Sequence, residues 1–187
     1  DSEPASFILN TYSKEELIYT FKEYGELYNC HKLVENILEY RQEKRIGTTG
    51  QLVELIKKSF FFQNSRKKFL KTCALVFQAL RIEVNQELAN LLLFLEKLPN
   101  YLSGKSRVAI ISFHSLEDRI VKKYISEHKK NKEHVSKYQP KQKEQEQEQT
   151  QTRIKAINKR VIQATQEEIT NNIRAKSAKL RVFEISG

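Results

Sequence analysis

The stretch from Val108 to Arg119 constrains the fold more than any other part of the sequence. An apolar run, Val108 to Ile111, is followed by the polar cluster Ser112-Phe113-His114-Ser115 and then by a helical pattern. A run that is apolar on both faces predicts a buried strand, and such strands are typical of parallel sheets covered by helices. Ligands bind such open sheets beyond the carboxyl ends of the strands. We therefore expect a candidate site between Ser112 and Asp118.

Residues 5 to 81 are predicted to form short helices. Ser13 and Glu16 have the spacing of a capping box, and Thr48 or Thr49 is expected to cap a later helix. Gly25 falls inside an apolar helical pattern, so we expect the helix to end near it. No part of this half alternates with a period of two, which predicts an all-helical module.

The second half of the chain is predicted to mix helices and strands. An amphipathic helix is expected from Ile82 to Leu102, with Pro99 bending it or ending it early. A strand at 107 to 112 and a helix from Leu116 to Ser126 complete a strand, turn and helix unit. The order of these elements predicts an α/β fold.

Residues 127 to 152 differ from the rest of the chain in being nearly free of aliphatic side chains. Such a segment cannot bury enough apolar surface to offset its ordering entropy, so a mobile charged loop is predicted. Extended segments are expected to return at 154 to 164 and at 178 to 185.

The chain has 187 residues and a formal net charge of +10. An excess of cations favours a polyanionic partner such as RNA, but it is equally compatible with a basic surface that only maintains solubility. No run reaches the roughly 18 apolar residues that span a bilayer, so we expect no membrane contact. Cys30 and Cys73 lack CxxC spacing and are predicted to be buried free thiols in a reducing compartment.

Two basic clusters are candidates for RNA contact. Lys67, Lys68 and Lys71 follow the run Phe60-Phe61-Phe62, whose rings either fill the core or stack on unpaired bases. The second cluster lies near the end of the chain, where phosphate contact and a solvated turn are both open interpretations. It contains Arg174, Lys176, Lys179 and Arg181.

The end of the predicted strand and the turn that follows it carry the candidate catalytic residues Ser112, Phe113 and His114. His114 could hydrogen-bond a base or a phosphate, and Phe113 could stack on a base that has left its helix. Alternatively, His114 satisfies backbone groups at the turn and Phe113 packs under the following helix. Ser115 and Asp118 are expected to cap that helix.

Three groups of short motifs follow one another along the chain. The first contains Asn10-Thr11-Tyr12-Ser13 and Glu23-Tyr24-Gly25-Glu26. The second is FQALRI-x-VN-x-EL from Phe77, followed by VAIISFHSLEDRIVK, and the third is Ser177-Ala178-Lys179-Leu180-Arg181-Val182. Together they resemble the bacterial family of 16S rRNA (cytosine-N4)-methyltransferases of the RsmH/MraW type.

This resemblance implies an S-adenosylmethionine-dependent enzyme that methylates the exocyclic N4 of a cytosine in small-subunit ribosomal RNA, in the cytoplasm. Residues 5–78 would be a helical insertion that recognises RNA. Residues 79–187 would be the carboxyl-terminal part of a Rossmann-like methyltransferase sheet. The family's cofactor-binding residues lie upstream of the first motif, so this chain is expected to lack them and to be inactive alone.

The substrate implied by the resemblance is ribosomal RNA, either naked or within an assembling ribosomal subunit, and the oligomeric state stays open. Two other functions are compatible with the residues. One is a non-enzymatic helical RNA-binding protein, and the other is a different α/β nucleotide-binding enzyme. The five glycines include no GxG pattern, so the sequence itself contains no recognisable cofactor loop.

Overall fold

The computed structural model describes residues 4–102, 104–130 and 153–186. The chain forms two compact units, Asp1–Glu87 and Leu88–Gly187. The domain assignment from sequence divided the chain after residue 78 and stays a prediction.

The elements in chain order are α1 (Ala5–Thr11), α2 (Lys14–Tyr19), a π-helical segment (Thr20–Tyr24), α3 (His31–Glu43), α4 (Thr49–Ser59), α5 (Arg66–Asn85), α6 (Glu87–Lys97), a 3₁₀ segment (Leu98–Tyr101), β1 (Lys105–Ser112), α7 (Ser115–Lys130), β2 (Arg153–Ala156), β3 (Ile162–Gln163), α8 (Gln166–Asn171), a second 3₁₀ segment (Ile173–Ser177) and β4 (Lys179–Ser186).

Within its described residues, 4 to 87, the first unit contains helices joined by short connections and no strand, as its apolar periodicity predicts. Ser13 Oγ accepts the Glu16 N–H at 3.2 Å, and the Glu16 carboxylate accepts the Ser13 N–H at 2.7 Å, which confirms the capping box. Thr48 rather than Thr49 caps α4. The core of this unit contains Leu17, Phe21, Leu33, Val34, Ile37, Leu52, Ile56, Val76 and Ala79.

Gly25 ends the π-helical segment, where the sequence predicts a helix end. A Cβ at this position would lie 2.7 Å from the Phe21 carbonyl oxygen and 3.1 Å from the Leu75 carbonyl oxygen. Only glycine therefore lets the backbone approach α5 this closely. Cys30 and Cys73 are both buried free thiols, as predicted, and burial raises the pKa of each.

The single helix expected from Ile82 to Leu102 is wrong. Gln86 adopts a left-handed conformation with φ 49°, which ends α5 and separates it from α6. Pro99 then lies in a 3₁₀ turn at the end of α6. A non-glycine residue with positive φ leaves little trace in an apolar pattern, so periodicity alone did not reveal the break.

The second unit contains a small sheet with the strand order β1-β4-β2, and β3 pairs with the opposite end of β4. All described pairings are antiparallel. The parallel pairing expected for β1 is therefore wrong for the described strands. The two extended segments expected at 154 to 164 and at 178 to 185 are confirmed: the first contains β2 and β3, the second is β4, and they pair with each other.

Side chains along β1 alternate between exposed and inward positions, so the strand is not covered on both faces. Val108 and Ile110 pack on the core of the unit, whereas Ala109 and Ile111 are exposed. An uninterrupted apolar run thus belongs here to a strand with one solvated face. The core beneath it contains Leu95, Leu98, Val121, Ile125, Ile154, Phe183 and Ile185.

Helix α7 continues to Lys130, past the predicted end at Ser126. The first four residues of the predicted charged loop are therefore helical, and the remainder, from 131 to 152, lies outside the described residues. Among the helices in the described ranges, none has both the length and the apolar character required to cross a bilayer.

Candidate functional site

The turn between β1 and α7 presents its three candidate catalytic residues very differently. Ser112 closes the strand and is only 2% exposed, whereas Phe113 is 55% exposed. The His114 side chain is 8% exposed. The turn thus places an accessible aromatic ring between two largely buried polar side chains.

His114 is the N-terminal cap of α7. Its backbone oxygen accepts the Asp118 N–H at 3.3 Å, and its Nδ1 accepts the Glu117 N–H at 3.4 Å. Because Nδ1 is an acceptor, the neutral ring carries its proton on Nε2, which lies 3.5 Å from Glu117 Oε1. The expected cap by Ser115 and Asp118 is wrong, since His114 precedes the first helical residue.

Glu117 completes this cap from the third helical position. Its Oε2 accepts the Phe113 N–H at 2.7 Å and the His114 N–H at 3.3 Å. This carboxylate therefore fixes the backbone on both sides of the exposed ring. Sequence reasoning missed this role, although His114 and Glu117 have capping-box spacing, because histidine is not among the preferred cap residues.

Asp118 instead binds Arg181 of β4. Arg181 Nε lies 2.7 Å from Asp118 Oδ1, and a second guanidinium nitrogen lies 3.1 Å from Oδ2. Lys179 Nζ is 4.0 Å from the same carboxylate. The hydrogen bonds from Arg181 hold the pKa of Asp118 below its usual value, despite the opposing effect of burial.

The basic cluster near the end of the chain is thus divided between two settings. Arg181 and Lys179 lie beside Asp118, and their side chains are mostly covered. Arg174 and Lys176 are exposed on the second 3₁₀ segment. RNA contact by any of the four stays a prediction, and the exposed pair is the more accessible.

In the first unit, Lys67, Lys68 and Lys71 are exposed on the first turns of α5. Lys68 Nζ donates to Gln63 Oε1 at 3.3 Å. The cluster is therefore open to solvent, and its contact with RNA stays a prediction.

The three phenylalanines before α5 do not share one environment. Phe60 and Phe62 pack against the core, and Phe62 meets Phe69 edge-on with ring centroids 5.2 Å apart. Phe61 is 87% exposed. The core interpretation therefore fits the outer two rings, and the middle ring faces solvent.

The geometry supports binding and positioning more directly than nucleophilic chemistry. Ser112 and His114 do not lie in a Gly-x-Ser-x-Gly elbow. The described residues also include no glycine-rich loop that fits S-adenosylmethionine, so we assign it no contact. The site can present an aromatic face and hold the surrounding backbone rigid.

Comparison with known proteins gives a consistent result along the chain. The sequence model of the MraW methylase family matches residues 1–186. Proteins named ribosomal RNA small subunit methyltransferase H are 42% identical over 180 residues in Spiroplasma kunkelii and 39% identical over 184 residues in Petrotoga mobilis. The one from Phocaeicola vulgatus is 39% identical over 180 residues.

These alignments cover 96% of this chain for Spiroplasma kunkelii, 98% for Petrotoga mobilis and 96% for Phocaeicola vulgatus. They cover only 56%, 55% and 55% of the respective relatives. The chain thus spans about half the length of the curated relatives that it matches. The family match extends over nearly every residue, and the chain belongs to the MraW methylase family.

Proposed function

We propose that this chain is part of an S-adenosylmethionine-dependent methyltransferase that modifies the exocyclic N4 of a cytosine in small-subunit ribosomal RNA. The observation that carries the proposal is the turn from Ser112 to His114. In a chain of this family, it holds an exposed aromatic ring at the end of a strand. Cytoplasmic location and action on an assembling ribosomal subunit are further expectations of the same proposal.

Methylation of a cytosine amine has two physical requirements that this turn could help to meet. The N4 lone pair is delocalised into the ring, so the amine must be oriented and hydrogen-bonded before it can attack a methyl group. The base must also leave its stack. In the proposal, Phe113 stacks on the extruded cytosine, and His114 hydrogen-bonds the base or a phosphate.

The neighbours of Phe113 have supporting roles in this proposal. Glu117 accepts hydrogen bonds from the backbone on both sides of the ring, which limits the positions that the ring can take. Ser112 is buried, which favours support of the turn over direct contact with the base. The methyl group itself would come from the cofactor, held by residues outside this chain.

RNA recognition is assigned to the exposed cations of the first unit, Lys67, Lys68 and Lys71, with Arg174 and Lys176 as a second contact. Replacing the three lysines with alanine should lower the dependence of log affinity on log salt by about 2, since each phosphate contact on a single strand contributes about 0.7. A matched variant would replace Lys32, Lys44 and Lys123, which are exposed elsewhere. An equal change in both variants would contradict the assignment.

The activity is tested with a chain that continues upstream of Asp1 to the length of the relatives. Calorimetry should detect S-adenosylmethionine binding to this longer chain and little binding to the 187-residue chain. Mass spectrometry of nucleosides from treated small subunits should then find N4-methylated cytidine. Methylation confined to another base would overturn the cytosine assignment.

The second candidate is a non-enzymatic RNA-binding protein. It is favoured by the stretch from Leu55 to Ile82, which contains no Asp or Glu among its many cations. Strong RNA binding by the longer chain without any heat from S-adenosylmethionine would support this function instead.

A further inference from the structure

Phe61 is an exposed aromatic residue within a stretch that carries charges of one sign only. The segment from Leu55 to Ile82 has no acidic residue. Phe61 lies in the connection between α4 and α5, and it is the most exposed of the large hydrophobic side chains in the described part of the chain. Large apolar side chains are usually buried, so an exposed one among cations is a candidate for contact with a ligand.

The connection holds Phe61 outward by fixing its neighbours. The rings of Phe60 and Phe62 lie 6.0 Å apart, and both pack on the core of the first unit. The Ser65 N–H donates to the Phe62 carbonyl oxygen at 2.8 Å and closes the turn. Phe61 is therefore anchored on both sides and does not depend on its own contacts for its position.

The backbone of this turn is also in an unusual conformation. Gln63 and Asn64 have φ values of 48° and 56°, in the left-handed region. Two consecutive non-glycine residues in this region are energetically unfavourable and persist only where the surrounding structure imposes them. On either side of these two residues, Phe62 packs against Phe69 and Ser65 caps α5.

Cations occupy the start of α5, where a helix favours anions. Arg66, Lys67 and Lys68 are its first three residues, and its first turn has no acidic residue. The helix dipole opposes positive charge at this end, and Lys67 and Lys71 repel each other at i,i+4 spacing. This arrangement is unfavourable for the folded chain alone, and a bound polyanion would offset it.

Exposed cations flank the exposed ring on both sides along the chain, and this group of side chains is the surface considered for binding. Lys58 precedes Phe61 by three positions and Arg66 follows it by five, across the closed turn. Lys57 is already paired with Glu54 at 2.7 Å, whereas Lys58, Arg66 and Lys67 are exposed. The charge of this surface is complementary to phosphate groups and is unfavourable for a basic protein partner.

We propose that Phe61 stacks on an unpaired base of RNA while Lys58, Arg66 and Lys67 contact the adjacent phosphates. Proteins bind single strands in this way because every base has an aromatic face and the cations follow the backbone. The inference rests on the proposed RNA-binding function. It adds that the strand is unpaired where it meets this surface and that Phe61 contacts a base directly.

The test measures binding of the 187-residue chain to a short unpaired RNA oligonucleotide and to its duplex. Phe61→Ala should weaken binding to the unpaired strand by about 5- to 150-fold, the range for loss of one stacked base. The salt dependence should stay unchanged because no charge is removed. Binding to the duplex should not change.

A second readout uses Phe61→Trp, since the chain contains no other tryptophan. This variant should bind the unpaired strand at least as tightly as the natural chain, and the RNA should quench its fluorescence. Tyr28→Trp and Tyr28→Ala are matched controls because Tyr28 is also a strongly exposed aromatic residue of the first unit. RNA should not quench the fluorescence of Tyr28→Trp, and Tyr28→Ala should bind the unpaired strand as tightly as the natural chain.

The outcomes separate this inference from the proposed function. If Phe61→Ala binds like the natural chain while loss of Lys67, Lys68 and Lys71 weakens binding, stacking is overturned and RNA binding stands. Equal weakening on the duplex, or unchanged Phe61→Trp fluorescence in the complex, also overturns stacking. Failure of the natural, folded chain to bind any RNA overturns both.

Discussion

Arg181 and Asp118 are joined by two hydrogen bonds, of 2.7 and 3.1 Å, between the guanidinium of β4 and the carboxylate at the start of α7. This pairing uses both carboxylate oxygens, so it fixes orientation as well as distance. It ties the first turn of α7 to the central strand of the sheet. The candidate turn before α7 is thereby held on a rigid base.

Removing the charge of Asp118 should destabilise the second unit. Asp118→Asn keeps the size of the side chain but leaves a mostly covered guanidinium without its anion. We expect the free energy of unfolding to fall by about 2 kcal/mol, in the range for hydrogen bonds to charged groups. Urea denaturation followed by circular dichroism measures this change.

Glu127→Gln is the matched control for that variant. Glu127 pairs with Lys123 at 3.7 Å, but both side chains are exposed. Exposed pairs contribute little, so this variant should lower the free energy of unfolding by less than about 0.5 kcal/mol. Similar losses in the two variants would contradict the assigned importance of the Arg181 pair.

The same pair predicts a pH dependence of stability. The pKa of Asp118 is lower in the folded protein than its ordinary value of 3.8, so the unfolded chain binds this proton more readily. The contribution is therefore fully present above about pH 4 and is lost as the pH falls through the folded pKa. The difference in free energy of unfolding between the natural chain and Asp118→Asn should narrow below about pH 4. A difference that stays constant with pH would contradict this role of the Asp118–Arg181 pair.

Substitutions of His114 should separate capping from chemistry. His114→Ala removes the Nδ1 acceptor and should lower the free energy of unfolding by about 1 kcal/mol, whereas His114→Asn should restore the cap. In the upstream-extended chain, we expect His114→Asn to be stable but impaired in methyl transfer. Retention of full methyl transfer would limit His114 to a structural role.

Glycine substitutions should reveal where backbone contact is tight. Gly25→Ala should lower the free energy of unfolding by about 1 to 3 kcal/mol, because its Cβ would lie 2.7 Å from a carbonyl oxygen. Gly50→Ala is the control, since its nearest neighbour would be Thr48 Oγ1 at 3.9 Å, and it should raise stability by about 0.5 kcal/mol. Thermal denaturation should therefore show a lower melting temperature for Gly25→Ala and a higher one for Gly50→Ala than for the natural chain.

Tyr12 joins the amino-terminal helices to α5 through one hydrogen bond. Its hydroxyl donates to Glu83 Oε1 at 2.7 Å, and this bond to a carboxylate raises the pKa of Tyr12 to about 12. Because the folded pKa is the higher one, this contribution is present below about pH 10 and is lost as the pH rises through 12. Tyr12→Phe should lower the free energy of unfolding by about 1 to 2 kcal/mol at neutral pH, and Tyr28→Phe should not.

Local signals in the sequence predicted much of the fold. Capping by Ser13 and the helix end at Gly25 depend on neighbouring residues, and both agree with the structure. The break at Gln86 and the antiparallel partner of β1 could not be predicted in this way. The sign of φ at a single residue depends on tertiary context rather than on periodicity. The same is true of the pairing of β1 with β4, strands that lie about seventy positions apart.

In the candidate site too, local sequence patterns predicted some features, whereas contacts between distant residues could not be predicted. The position of Ser112, Phe113 and His114 at the end of a strand follows from the change from apolar to polar residues. The pairing of Asp118 with Arg181 joins residues 63 positions apart, and no local pattern indicates it. Similarly, the run of three phenylalanines did not reveal which ring is exposed, because that depends on which rings pack on the core of the first unit.

β1 lies at one end of the order of described strands, and it presents Ala109 and Ile111 to solvent. An apolar strand in this position is a template for intermolecular pairing and aggregation. Lys105 and Arg107, exposed on the same face, oppose such association by repulsion between molecules. Because salt screens this repulsion, concentrated samples should stay in solution longest at low ionic strength.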